Sequence, residues 1–163
     1  MNYGQIKYYD IANGEGVRVS LFVSGCRNHC KGCFQPETWD FNYGKPFTRE
    51  VQCMLYGEIA SPHISGISIL GGDPFEPENE KELVPFLCKL KSAMPSKTVW
   101  VYTGYLYENL SHHEMMEYIN VLVDGKFEED KKDISLAFRG SSNQRIIDVP
   151  ASLRVGLPVE LMR

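Results

Sequence analysis

The sequence contains no apolar run approaching the roughly 20 residues that a membrane-spanning helix requires. Its first ten residues, Met1 to Asp10, hold no signal-peptide core. A cytoplasmic chain is the expectation. No lysine-rich tract is present and the net charge is −4, with a sequence pI of about 5.6. That balance argues against nucleic-acid binding through phosphates. Internal repeats, low-complexity stretches and linkers are all lacking. With 163 residues, 43% hydrophobic and 23% charged, the composition fits one domain over residues 1–163 with a sizeable core. Cysteines are few and odd in number, five in all, which speaks for metal or redox chemistry in a cytosolic chain and against a disulfide framework. No Ser/His/Asp constellation and no paired carboxylates suited to hydrolysis occur.

What is there begins with Cys26, Cys30 and Cys33, a C-x3-C-x2-C run with no fourth cysteine nearby. Three thiolates can hold three irons of a cubane cluster and leave the fourth iron open, whereas structural zinc and four-cysteine cluster sites close their coordination shell. Gly25 and Gly32 let the backbone curl around a bulky inorganic core. The competing reading is a zinc site completed by His29, Cys53 or Cys88. His29 adjoins Cys30, which makes simultaneous tetrahedral ligation awkward. Cys88, beside Leu87 in an apolar stripe, reads as a small core residue, and Cys53 reads similarly.

The periodicities predict alternating strands and helices. Arg18 to Val23, Gly66 to Leu70, Thr98 to Thr103 and Asn120 to Val123 read as strands. Thr48 to Ala60 reads as a helix capped by Thr48, with Val51, Met54, Leu55 and Ile59 on one stripe. Asn79 to Met94 reads as a second helix, with Pro85 against full regularity. Ser111 to Tyr118 reads as a short helix opened by a Ser111/Glu114 capping box. Gln144 to Val149 and Arg154 to Leu157 are further candidate strands. Alternating βα units imply a largely parallel sheet. A full eight-stranded barrel needs about 200 residues or more, so the expected fold class is α/β, a partial barrel or an open, mostly parallel sheet. Ligands in such folds gather at the carboxyl ends of the strands. Those ends carry Cys26 to Cys33, Gly71 to Pro74, Thr103-Gly104 and Asp124 to Lys126.

Gly71-Gly72-Asp73-Pro74 would be an ordinary turn in isolation. Ending a strand, its two glycines allow close approach of a ligand, and a carbonyl or the Asp73 carboxylate could accept from an ammonium group. Asn13-Gly14-Glu15-Gly16-Val17-Arg18 precedes the first of the expected strands and has strand and helix in the wrong order for a dinucleotide fingerprint. Asp124-Gly125-Lys126 could be a surface ion pair of little worth. His112-His113 lie near a helix start and read as exposed.

Taken together, these segments resemble the radical S-adenosylmethionine (SAM) superfamily, whose cysteine motif follows the first strand of an α/β fold. The resemblance implies a [4Fe-4S] cluster on Cys26, Cys30 and Cys33, with SAM chelating the open iron and yielding a 5′-deoxyadenosyl radical that abstracts hydrogen. Gly32 stands where the superfamily often has an aromatic residue, which leaves the adenine contact to the backbone of Gly32, Cys33 and Phe34. Gly71-Gly72-Asp73 is similar to the GGE motif that cradles the SAM amino group, with the shorter Asp73 in place of Glu. Asn13 to Arg18 is similar to the D-G-x-G-x-R segment of glycyl-radical activases, and Asp124 and Lys126 to their D-x-K element. With Thr38-Trp39, Trp100 to Tyr105 and Phe138 to Asp148, the order of segments resembles the activating proteins of anaerobic (class III) ribonucleoside-triphosphate reductase, from Met1 to about Asp148. The implied partners are that reductase, as protein substrate, and a flavodoxin-type electron donor. A pyruvate formate-lyase activase or a non-catalytic zinc module are the alternatives.

Overall fold

The computed structural model describes residues 1–161. The chain opens with a nine-residue strand, β1 (Asn2–Asp10), and returns antiparallel in β2 (Arg18–Val23). After the cysteine loop a two-residue strand, β3 (Lys45–Pro46), pairs with the start of β1 and leads into α1 (Arg49–Ile59). Then follow β4 (Gly66–Gly71), α2 (Pro77–Ala93), β5 (Thr98–Tyr102), the single-turn α3 (Tyr107–Leu110), β6 (Val121–Asp124), β7 (Arg145–Asp148) and α4 (Val149–Val155). One seven-stranded sheet results, in the order β3-β1-β2-β4-β5-β6-β7.

The fold is α/β, but the expected mostly parallel sheet is mixed. β2, β4, β5 and β6 are parallel neighbours, while β1, β3 and β7 join antiparallel. The connections explain this. Crossovers carrying helices link the parallel strands, whereas no α-helix lies between β1 and β2 or between β6 and β7, so the chain returns antiparallel.

Thr48 caps α1 by accepting from the Val51 N–H, as its sequence predicts. Leu55 and Ile59 are fully buried, but Met54 is exposed, its sulfur accepting from the Tyr8 hydroxyl. In α2, Pro77 stands in the first turn with Glu78 and Glu80, and Leu83, Phe86, Leu87 and Leu90 are buried. Pro85 sits on the exposed face of α2, and the helix runs through it. Cys88 shares that exposed side, and Cys53 is exposed on α1; neither is a core residue.

Two further expectations are corrected. Ser111 to Tyr118 is not one capped helix. Ser111 closes α3, its N–H bonding the Tyr107 carbonyl, and a separate 3-10 turn, Glu114–Tyr118, follows without a side-chain cap so that Met115 and Met116 can be buried against α2. Arg154 to Leu157 is not a strand: Asp148 caps Ala151, and α4 continues to Val155 before Gly156 ends it at φ 79°. The polar segment Asn2–Asp10, unassigned from the sequence, is a strand because β2 and β3 satisfy its backbone.

Leu21, Val23, Ile67, Ile69, Val99, Val101 and Leu122 pack against α1 and α2 in the main core. Each such side chain contributes about 1.5–3 kcal/mol of burial. The other face carries a smaller cluster of Trp100, Val121, Val123 and Ile146, with Tyr102 and Phe138 against it. Arg18 is buried in β2 (1% exposed) and donates to Ser68 Oγ, Thr98 Oγ1 and the carbonyls of Glu15, Ile67 and Thr98, tying three strands at their amino ends. Among the described residues no helix is long and apolar enough to cross a membrane.

Candidate functional site

At the opposite, carboxyl ends of the parallel strands lies a cavity of about 640 Å³. Its wall includes all three clustered cysteines, the Gly71-Gly72-Asp73 turn after β4, Thr103-Gly104 after β5, Gly125 after β6 and much of the segment 132–140. Cys26, Cys30 and Cys33 are each part-exposed, as groups facing a cavity should be.

The cysteine loop is pinned at both ends. Gly25 N–H bonds Thr38 O (2.7 Å) and Cys26 N–H bonds Trp39 O (3.2 Å), while Cys33 N–H closes a turn on Cys30 O (3.1 Å). On the other side Gly72 N–H reaches Val23 O (2.6 Å) and Asp73 N–H reaches Gly25 O (2.9 Å). This contact requires glycine: a Cβ at Gly72 would lie 2.5 Å from the Gly25 carbonyl oxygen. Asn79, on α2 and 1% exposed, completes the tie by donating to the carbonyls of Ser24, Gly25 and Asp73.

Asp73 is buried (1% exposed) and accepts from Asn28 Nδ2, Thr103 Oγ1 and the N–H groups of Gly104 and Phe75. Burial pushes its pKa up to about 6, against the pull of those donors. The carboxylate therefore braces the rim. Gly71, Gly72 and Asp73 all line the cavity, and the two glycines have only backbone to offer it. Glu76, also buried, holds Arg27 and accepts from Tyr105 Oη at 2.6 Å; Arg27 pairs further with Glu78 at 2.7 Å.

Burial raises the Cys26 and Cys30 thiols. Amide donors from Asn28 and His29 to Cys26, and from Phe127 to Cys30, favour the thiolates, as does the Lys126 ammonium near Cys30. Amide donors aimed at sulfur suit thiolates that ligate iron. Among the described residues no group of three or more His, Cys, Asp or Glu is arranged to hold a metal ion. A cubane asks each thiolate for a different iron, so its sulfurs ring a space and do not converge on one point. Three thiols along one cavity wall are the donor set that such a cluster takes. Of the other ligands considered for zinc, Cys53 and Cys88 lie outside this wall on α1 and α2, and the His29 ring stacks on Trp39 at 4.4 Å.

Phe34 lines the cavity, 64% exposed, against Phe127 at 5.0 Å and beneath Lys132. Gly32 lies outside the wall, its φ of +76° set by the loop's curl. Asp124 and Lys126 also lie outside it. Asp124 is fully buried, accepting from Arg145 (Nε 3.0 Å, Nη2 2.5 Å) and the Tyr107 N–H (2.8 Å). Lys126 is exposed, and its carbonyl accepts from Asn143. His112 is exposed, whereas His113 is half-buried against Glu80 at 2.8 Å. Asn28, Glu76 and Asn79, which carry much of the site's wiring, were not singled out from the sequence. The one signal for them was a cluster of polar residues flanking two glycine turns.

With the geometry in place, comparison with known proteins bears on the family. A family described as "4Fe-4S single cluster domain" matches residues 12–147. The anaerobic ribonucleoside-triphosphate reductase-activating protein of Pasteurella multocida is 43% identical over 152 residues, 90% of this chain and 96% of the relative. The protein of that name in Escherichia coli K12 is 44% identical over 148 residues, 88% of this chain and 96% of the relative. That of Enterobacteria phage T4 is 38% identical over 146 residues, 90% and 93% respectively. A cysteine-lined cavity at the carboxyl ends of parallel strands and likeness along nearly the whole chain lead to one conclusion: this chain belongs to the family of anaerobic ribonucleoside-triphosphate reductase-activating proteins.

Proposed function

We propose that this protein is a radical SAM activating enzyme that generates a glycyl radical on an anaerobic ribonucleoside-triphosphate reductase. The carrying observation is that Cys26, Cys30, Cys33 and the Gly71-Gly72 turn wall a single cavity. Cys26, Cys30 and Cys33 would hold a [4Fe-4S] cluster, with SAM bound to it in the same cavity. When bound, cluster and SAM supply one-electron reductive cleavage of the sulfonium and removal of a Cα hydrogen from a glycine of the reductase.

The chain's own residues bind, orient and exclude water. Gly71 and Gly72 give the SAM ammonium group access to backbone carbonyls, and Asp73 holds that turn against Thr103 and Gly104. The backbone around Gly32 and Cys33, with the Phe34 ring, is the surface offered to adenine. Lys126 is the cation for the SAM carboxylate, and Asp124, held by Arg145, fixes the end of β6 from which Lys126 follows. The parallel strands β2, β4, β5 and β6 form a partial barrel of radical SAM type, one domain over 1–163. Exposed Lys31, beside Cys30, and Lys126 suit docking of an acidic flavodoxin-type donor. The place of action is the cytoplasm. The reductase is favoured over pyruvate formate-lyase as target because the relatives above carry the reductase's name along 88–90% of this chain.

The test is EPR on protein reconstituted anaerobically with iron and sulfide and then reduced, with and without SAM. A reduced [4Fe-4S] signal that changes on adding SAM is the expected result, followed by a glycyl-radical signal when the reductase is present. Tightly bound zinc with no cluster signal would overturn the reading and leave the zinc module.

A further inference from the structure

Asn28 stands between the first two cysteines of the loop and lines the same cavity as the Gly71-Gly72 turn. Its amide nitrogen donates to Asp73 Oδ2 at 2.7 Å. A carboxylate only accepts, so the nitrogen is the end of the amide that faces Asp73, and the oxygen is the end left over. The carboxamide is also seated on Gly104, where a Cβ would fall 2.5 Å from Asn28 Nδ2. The Gly104 N–H meets the same Asp73 oxygen at 2.9 Å. Asp73 and Gly104 together thus set the direction of Asn28 Oδ1. That oxygen has no hydrogen-bond partner among the described residues, and it is not sealed off by protein as the Tyr102 hydroxyl is.

An oriented, accessible amide oxygen in a cavity wall is an acceptor for a ligand N–H. The carboxylates of the wall do not compete for that donor. Asp73 is buried and already accepts from Asn28, Thr103, Phe75 and Gly104. Asp133 accepts from the Ser135 N–H and hydroxyl. Lys7, Lys132 and Arg139, which also line the cavity, bring donors only. A ligand amine beside the glycine turn therefore meets neutral oxygens. Among the side-chain oxygens of the wall, Asn28 Oδ1 is the one held against that turn, through Asp73.

We propose that Asn28 Oδ1 accepts a hydrogen bond from the amino group of SAM, beside the carbonyls of the Gly71-Gly72 turn, and that Asp73 acts on SAM at one remove, by orienting the Asn28 amide. The inference rests on the function proposed above and adds a residue that selects for the amino group.

The experiment measures dissociation constants by equilibrium dialysis on anaerobically reconstituted protein. Its probes are SAM, an analogue with hydrogen in place of the amino group, and an analogue with hydrogen in place of the adenine 6-amine. Asn28→Leu keeps the side chain's bulk and removes the oxygen. It also loses the bond to Asp73, so ligands are compared within one variant and not between variants alone. SAM binding should weaken about fivefold to tenfold, the worth of one hydrogen bond. Binding of the analogue without the amino group should match wild type, and the analogue without the 6-amine should weaken as SAM does. Gly104→Ala, which displaces the carboxamide, should show the same pattern. Unchanged SAM affinity in Asn28→Leu, or equal weakening of all three ligands, would overturn the proposal. Weakening that vanishes only for the analogue without the 6-amine would assign the oxygen to adenine and equally overturn it. A wild-type protein that takes up no cluster or binds no SAM sinks the function itself. Wild-type SAM binding that Asn28→Leu leaves unaltered removes only the Asn28 assignment.

Discussion

Asp73, buried at the rim, gathers donors from both glycine turns and from the cysteine loop. Replacing it by Asn turns one acceptor into a donor facing donors. Asp73→Asn should cost about 1–3 kcal/mol in denaturant unfolding. The sign of the pH effect follows from burial raising the folded pKa from 3.8 to about 6. The folded state then binds the proton more tightly than the unfolded chain does, so this group's stabilisation is lost as pH rises from about 4 to about 6. The deficit of Asp73→Asn relative to wild type should therefore narrow across that window and stay constant above it. A deficit that widens there would contradict the burial argument. The cysteines divide in the same manner. Ser at position 26, 30 or 33 should abolish the visible absorbance of the reconstituted cluster, while Ser at the exposed positions 53 or 88 should leave iron stoichiometry unchanged.

Among the elements, the contact between the start of the cysteine loop and the end of β4 couples the two motifs. Gly72 packs on Gly25, and Asn79 of α2 bonds the carbonyls on both sides. Gly72→Ala puts a Cβ 2.5 Å from the Gly25 oxygen and must push the loop away. Iron content after reconstitution should fall well below that of wild type even where far-UV circular dichroism is unchanged; full iron content would show that the contact yields. Thr48→Ala, at the far end of α1's role in the fold, should cost about 1 kcal/mol of stability through the lost cap, with no effect on iron content.

For the molecule as a whole, the site and the core are separate constructions. The main core lies between the sheet and α1 and α2 and includes none of the three clustered cysteines. Iron removal by a chelator should therefore leave the cooperative thermal transition and the secondary structure in place while abolishing SAM binding. Unfolding on chelation would mean that the cluster is a structural keystone. Arg18, joining β2, β4 and β5 at their amino ends, marks the opposite pole. It supports the sheet from the side where no chemistry is arranged.

By itself the sequence determined the cysteine triad, the four parallel strands and the glycine turn that ends β4, because each is local: a spacing, a run of β-branched residues, a pair of residues without side chains. The family was legible for the same reason, in the order of short segments. Tertiary structure alone decided the rest. Strand β1 is mostly polar, with Tyr3 and Ile6 on the core, and its pairing is set by its neighbours' hydrogen bonds. Cys88 shares its part of α2 with apolar residues, yet it falls on the solvent side, since exposure depends on where the sheet lies. Glu76 and Asn79 are ordinary polar residues until folding buries them, and Asn28 until folding sets its amide against the buried Asp73. Tyr102 is a strand tyrosine until folding encloses its hydroxyl with no hydrogen-bond partner among the described residues. Burial and long-range pairing are properties of the assembled sheet, and no window of the chain contains them.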